Sequence, residues 1–102
     1  MPRQEHEKSD LLLFNYSKKA KSFFNKHKKV RDEFEDNIEK YYLRGQTDGI
    51  NIKKMSGSQK WIRMRVNDGY RVIYAIFRNQ IIIVDVMLAG NRGEVYKQYN
   101  KR

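Results

Sequence analysis

The sequence predicts an α+β domain. An N-terminal strand and a helical hairpin pack on an antiparallel β-sheet, and a short C-terminal helix follows. Three observations carry this prediction. Residues 18–43 lack Gly and Pro and place apolar side chains at i, i+3, i+4 spacing. Residues 50–88 switch to strand-like alternation, punctuated by the turn Asn67-Asp68-Gly69. At 102 residues with 39% hydrophobic content, the chain is long enough for one core and short for two domains.

Taken in order, residues 1–10 (MPRQEHEKSD) are charged and have no apolar signal core, so they read as a flexible leader. The single domain then spans residues 11–102. L-L-L-F-N-Y at 11–16 suits a short opening strand, after which Ser17 offers an N-cap oxygen. Ala20, Phe24 and His27 share one helical face, as do Val30, Phe34, Ile38 and Tyr41 or Tyr42. A single straight helix over this stretch would run to about 39 Å. That is long for so small a domain, so a bend near residues 27–30 is expected. Gly45 is a natural stop.

Beyond it, I-N-I-K-K-M at 50–55 alternates. W-I-R-M-R-V at 61–66 sets Ile62, Met64 and Val66 on one face and Trp61, Arg63 and Arg65 on the other. Asn67-Asp68-Gly69 tolerates positive φ and leads into Y-R-V-I-Y-A-I-F at 70–77. Residues 81–88 are apolar on both faces and suit the central strand. A helical turn or two from 93 to 100 completes the chain. Gly90 and Gly93 flank Arg92, which suggests a flexible hinge presenting that arginine.

Charge gives the first functional lead. Lys and Arg number 22 against 12 Asp and Glu, a net +10. Residues 1–50 hold 11 basic and 9 acidic side chains, a net +2; residues 51–102 hold 11 and 3, a net +8. An imbalance confined to one half favours a polyanionic partner such as nucleic acid, although a solubilising surface or an acidic protein partner also fits. Cysteine is absent, which removes disulfides and thiolate zinc sites. No run approaches the roughly 20 apolar residues of a membrane span. No His/Asp/Glu cluster has metal-ligand spacing, and no Ser–His–Asp set or P-loop is legible, so neither metal nor cofactor is expected.

What remains is a set of cations on strands. Arg63 and Arg65 project together, which equally describes the solvated face of a sheet. Arg71 stands in an otherwise apolar strand, as a functional cation or as one half of a salt bridge to Asp85. Arg92 follows the central strand, Tyr96 comes four residues later as a site residue or a packing aromatic, and Lys53, Lys54 and Lys60 are near in sequence.

This pattern resembles the RelE/ParE toxin family of bacterial toxin–antitoxin systems. The resemblance runs from residue 11 to 102 through Y-S-K-K-A-K at 16–21, K-K-M-S-G at 53–57, G-Y-R-V-I-Y at 69–74 and G-N-R-G-E-V-Y at 90–96. It implies the RelE-like microbial RNase fold. It also implies a toxin that cleaves mRNA without metal, on the ribosome at the A site, by attack of a ribose 2′-OH on the adjacent phosphate. By motif, Arg71 matches the family's phosphate-binding arginine, and Arg92 the arginine that stabilises the transition state or protonates the leaving group. Tyr96 matches the catalytic tyrosine. Arg63, Arg65, Lys53, Lys54 and Lys60 would bind RNA phosphates. The family's Lys-x-Lys pair is replaced by Arg63 and Arg65, which bind phosphate but do not give up a proton. The hairpin turn and the segment at 90–96 are also shorter than in RelE. The implied partners are a cognate antitoxin, mRNA and the ribosome, with DNA reached only through the antitoxin and no membrane, all in the cytoplasm. Two other readings share the fold: a ParE-like gyrase-poisoning toxin and an inactive basic binding module.

Overall fold

The structure is a computed structural model that describes residues 4–101, with side chains from Asp10 onward. Among these residues the strands form a six-stranded sheet: β1 (Gln4–Ser9), β2 (Leu12–Tyr16), β3 (Asn51–Lys54), β4 (Ile62–Val66), β5 (Tyr70–Arg78) and β6 (Ile82–Asn91), in the order β1-β2-β6-β5-β4-β3. Helices α1 (Lys18–Lys26) and α2 (Lys28–Ile38) follow β2, and α3 (Arg92–Asn100) follows β6. The α+β class and the element order match the expectation.

Local chemistry explains each helix boundary. The Ser17 hydroxyl accepts from the Ala20 amide at 3.1 Å and donates to the Met87 carbonyl at 2.5 Å, capping α1 and pinning it to β6. The helical stretch does break at His27, whose φ of −136° and ψ of 63° are not helical. The His27 carbonyl then receives the Val30 and Arg31 amides and starts α2. The largest dimension of the molecule is 33 Å, so an unbroken 39 Å helix would overhang it. A π-helical turn at Glu39–Leu43 ends the helices, and Gly45 leaves them at φ +67°.

The sheet buries both faces. Val72 and Tyr74 of β5 point toward α1 and α2, where they join Phe14, Phe24, Phe34, Ile38, Met64 and Val84. Ile73, between them, points the other way and packs with Leu88, Val95 and Tyr99 beneath α3. Between β4 and β5, Asn67 and Asp68 take φ values of 55° and 56°, the left-handed conformation their short polar side chains tolerate. A bulge at Met87 shifts the β5–β6 register between Ile73–Leu88 and Tyr74–Val86.

Three expectations change. The sheet is mixed, because β2 runs parallel to β6; pairing partners 70 residues apart in sequence leave no local mark. Part of the expected leader is ordered, since residues 4–9 form β1 antiparallel to β2, while residues 1–3 lie outside the described residues. The glycines at 90 and 93 do not form a hinge. Gly90 is buried in β6, and Gly93 lies inside α3, which begins at Arg92 with Asn91 as its cap.

Candidate functional site

Strand register places the cations. Residues paired across neighbouring strands project to the same face. One row reads Lys53, Arg63, Ile73, Leu88, and the next reads Asn51, Arg65, Arg71, Gly90. Because Ile73 and Leu88 pack under α3, both rows belong to the face that α3 partly covers. Gly90 permits this approach: a Cβ there would stand 3.3 Å from the Val95 Cγ2.

Where α3 ends and the rows continue, a cleft of about 260 Å³ opens between β3, β4 and α3. Lys53, Lys54, Arg63, Tyr96 and Asn100 line it. The half-buried Arg63 donates from Nη2 to the Asn51 Oδ1 at 2.5 Å, which fixes the guanidinium at the cleft wall, and its buried Nε has no partner. Lys53 and Lys54 are exposed, and Tyr96 is half-buried on α3.

Arg71 sits one row further along and is only 5% exposed. Its Nη1 donates to the carbonyls of Asp68 at 2.7 Å and Tyr70 at 2.9 Å, while its buried Nε lacks a partner. The alternative of a salt bridge to Asp85 does not hold. Asp85 pairs with Ala75, four residues or about 13 Å along the strand from Arg71. Arg92 meets the same turn through its backbone, its amide donating to the Gly69 carbonyl at 3.2 Å, and its side chain is exposed. The Asn67–Gly69 turn therefore holds the Arg71 guanidinium and the start of α3 together. Arg65, opposite Arg71, is exposed. Lys60 is not among the residues lining the cleft, and its Nζ lies 4.7 Å from the centre of the Trp61 ring.

Of the residues expected from sequence, Lys53, Lys54, Arg63 and Tyr96 meet around one cleft, and Arg71 and Arg92 meet at the adjoining turn. Asn51 was missed. It pairs with Arg65 and reaches diagonally to Arg63, and its place two residues before Lys53 was the available signal. Asn100, at the far end of α3, left no signal. Among the described residues no group of three His, Cys, Asp or Glu could hold a metal ion, and no helix is long and apolar enough to cross a membrane.

No family model and no curated protein matches the chain. Among solved structures, a chain from the "Crystal Structure of RelB-RelE antitoxin-toxin complex from Methanococcus jannaschii" aligns over 82% of this chain and 96% of its own, with 21% identity and a TM-score of 0.55. This chain has a RelE-like fold. Helix α3 follows β6 directly and brings Tyr96 to the cleft.

Proposed function

We propose that this protein is the toxin component of a type II toxin–antitoxin system. On this reading it is a metal-independent endoribonuclease that cleaves mRNA on the ribosome in the cytoplasm and so stops translation. The observation that carries the reading is the convergence of Lys53, Arg63 and Tyr96 on one cleft, beside the turn that holds Arg71 and Arg92.

The chemistry suits these side chains. Attack of a ribose 2′-OH on the adjacent phosphate builds negative charge on phosphorus. Fixed guanidinium groups stabilise that charge best when they are oriented before the reaction, as Asn51 orients Arg63. The planar guanidinium groups of Arg71 and Arg63 are of the kind that binds phosphate oxygens. Exposed Arg65, Lys53 and Lys54 would track the RNA backbone, and Arg92 would reach the same phosphate from the start of α3. A cognate antitoxin with an acidic segment would cover this face. The +8 of residues 51–102 suits it, and the structural neighbour was solved as an antitoxin–toxin complex.

The test is induction of wild type, Arg71→Ala and Tyr96→Phe in bacteria, with primer extension on a defined message. Tyr96→Phe keeps the packing of α3, so its phenotype reports chemistry. Discrete cuts that vanish in both variants, with growth restored, are expected. Growth arrest with intact messages would replace the ribonuclease with a gyrase-directed toxin. A harmless wild type would leave a basic binding module.

A further inference from the structure

The proposed reaction needs a group that takes the 2′ proton and another that returns a proton to the leaving 5′ oxygen. Arg63, Arg65, Arg71 and Arg92 cannot be the first, because guanidinium does not deprotonate in a protein. Among the cleft-lining residues, Lys53, Lys54, Tyr96 and Tyr99 carry an amine or a phenol. Tyr99 is 9% exposed and packs in the small core under α3. Lys54 pairs with Ile62, which packs on the opposite side of the sheet with the α1/α2 core. Lys53 pairs with Arg63 and shares its face.

The geometry points to Lys53 as the general base and Tyr96 as the general acid of the cleft. This assignment rests on the ribonuclease reading above. Strand β4 offers only arginines on this face, and the proton-accepting amine comes instead from the neighbouring edge strand β3. Among the described residues that strand pairs only with β4, and Lys53 is exposed, which leaves room for a ribose to approach. Asn51 holds Arg63 beside it, so the cation that receives the phosphate and the amine that receives the proton occupy one row.

The step balances as follows. The neutral Lys53 Nζ takes the proton from the 2′-OH as O2′ bonds to phosphorus. The P–O5′ bond breaks, and its electron pair leaves on O5′, which takes the Tyr96 phenol proton. The products are a 2′,3′-cyclic phosphate and a 5′-hydroxyl, and exchange with solvent returns the proton from Lys53 to Tyr96.

Arginine at position 53 would still bind phosphate but could not accept the proton. Single-turnover cleavage of a defined message on isolated ribosomes should therefore show kcat lower by roughly 10²–10⁴-fold in both Lys53→Arg and Lys53→Ala, with KM within a few-fold of wild type. Added ethylamine should restore cleavage by Lys53→Ala in proportion to the free amine and leave Lys53→Arg unchanged. If Lys53→Arg cleaves within a few-fold of wild type, or free amine fails to rescue Lys53→Ala, Lys53 is a phosphate ligand and the assignment is overturned. An inert wild type would instead remove the ribonuclease reading itself, and the base with it.

Discussion

At the scale of single residues, the strongest polar commitment lies in the core. Tyr16 donates its phenol proton to the Glu35 carboxylate, and the two side chains are 5% and 3% exposed. Burial pushes the Tyr16 phenol far above its ordinary value of 10.0, and the nearby Glu35 charge raises it further. Tyr74 is raised in the same way, first by burial and then by Tyr42, whose hydroxyl lies 3.0 Å away. A raised value means that the fold holds the neutral phenol. The associated stability is complete below about pH 10 and drains away above it, where the unfolded chain ionises and the folded chain does not. Denaturant midpoints should therefore fall steeply above pH 10. Tyr16→Phe leaves a buried carboxylate without this donor and should cost about 1–3 kcal/mol near pH 7. It should also make the alkaline fall shallower, since one of the two tyrosines no longer contributes. An unchanged alkaline slope in Tyr16→Phe would show that Tyr16 ionises freely in the fold. This pair was not legible in the sequence. Glu35 belongs to a helix stretch rich in Lys and Glu, and nothing local shows that its position in α2 turns toward β2.

At the scale of elements, legibility followed locality. Ser17, His27, Gly45 and the Asn67-Asp68-Gly69 turn act within a few residues, and each fell where its own chemistry placed it. The alternation of Ile62, Met64 and Val66 against Arg63 and Arg65 correctly divided the two faces of β4. The parallel β2–β6 pair, β1 and the α3 cap depended on partners that no short window contains. The cap corrects the reading of the segment around Arg92: Asn91 Oδ1 accepts from the Glu94 amide at 3.0 Å, so α3 starts without a slack residue. Since α3 carries Tyr96, the cap should matter for function. Asn91→Ala should cost about 0.5–2 kcal/mol and lower cleavage by loosening α3, whereas Asn91→Ser should retain both. Backbone amide exchange over residues 92–96 checks this directly. Faster exchange in Asn91→Ala but not in Asn91→Ser is the expected outcome, and equal exchange in both would assign the rigidity of α3 to its apolar contacts alone.

At the scale of the whole molecule, the sheet separates the work. Helices α1 and α2 seal one face with most of the core, and α3 covers only part of the other. The uncovered part is where Lys53, Arg63 and Arg65 reach the cleft or solvent, in the rows beside the buried Arg71. Such a face should bind single-stranded RNA with a strong salt dependence. Each phosphate neutralised changes the slope of log K against log salt by about 0.7 for a single strand. Arg65 is exposed and is directed to this face by its pairing with Arg71, so Arg65→Ala should flatten the slope by about 0.7 and leave thermal stability nearly unchanged. Lys60 lies over the Trp61 ring and does not line the cleft, so Lys60→Ala should leave the slope as in wild type. Fluorescence anisotropy with a 2′-O-methyl oligonucleotide, which cannot be cleaved, measures both across a salt series. If the two variants change the slope equally, RNA follows the overall charge of residues 51–102 and not the rows under α3. If only Arg65→Ala does, the strand register of β4 and β5 sets the path of the backbone into the cleft.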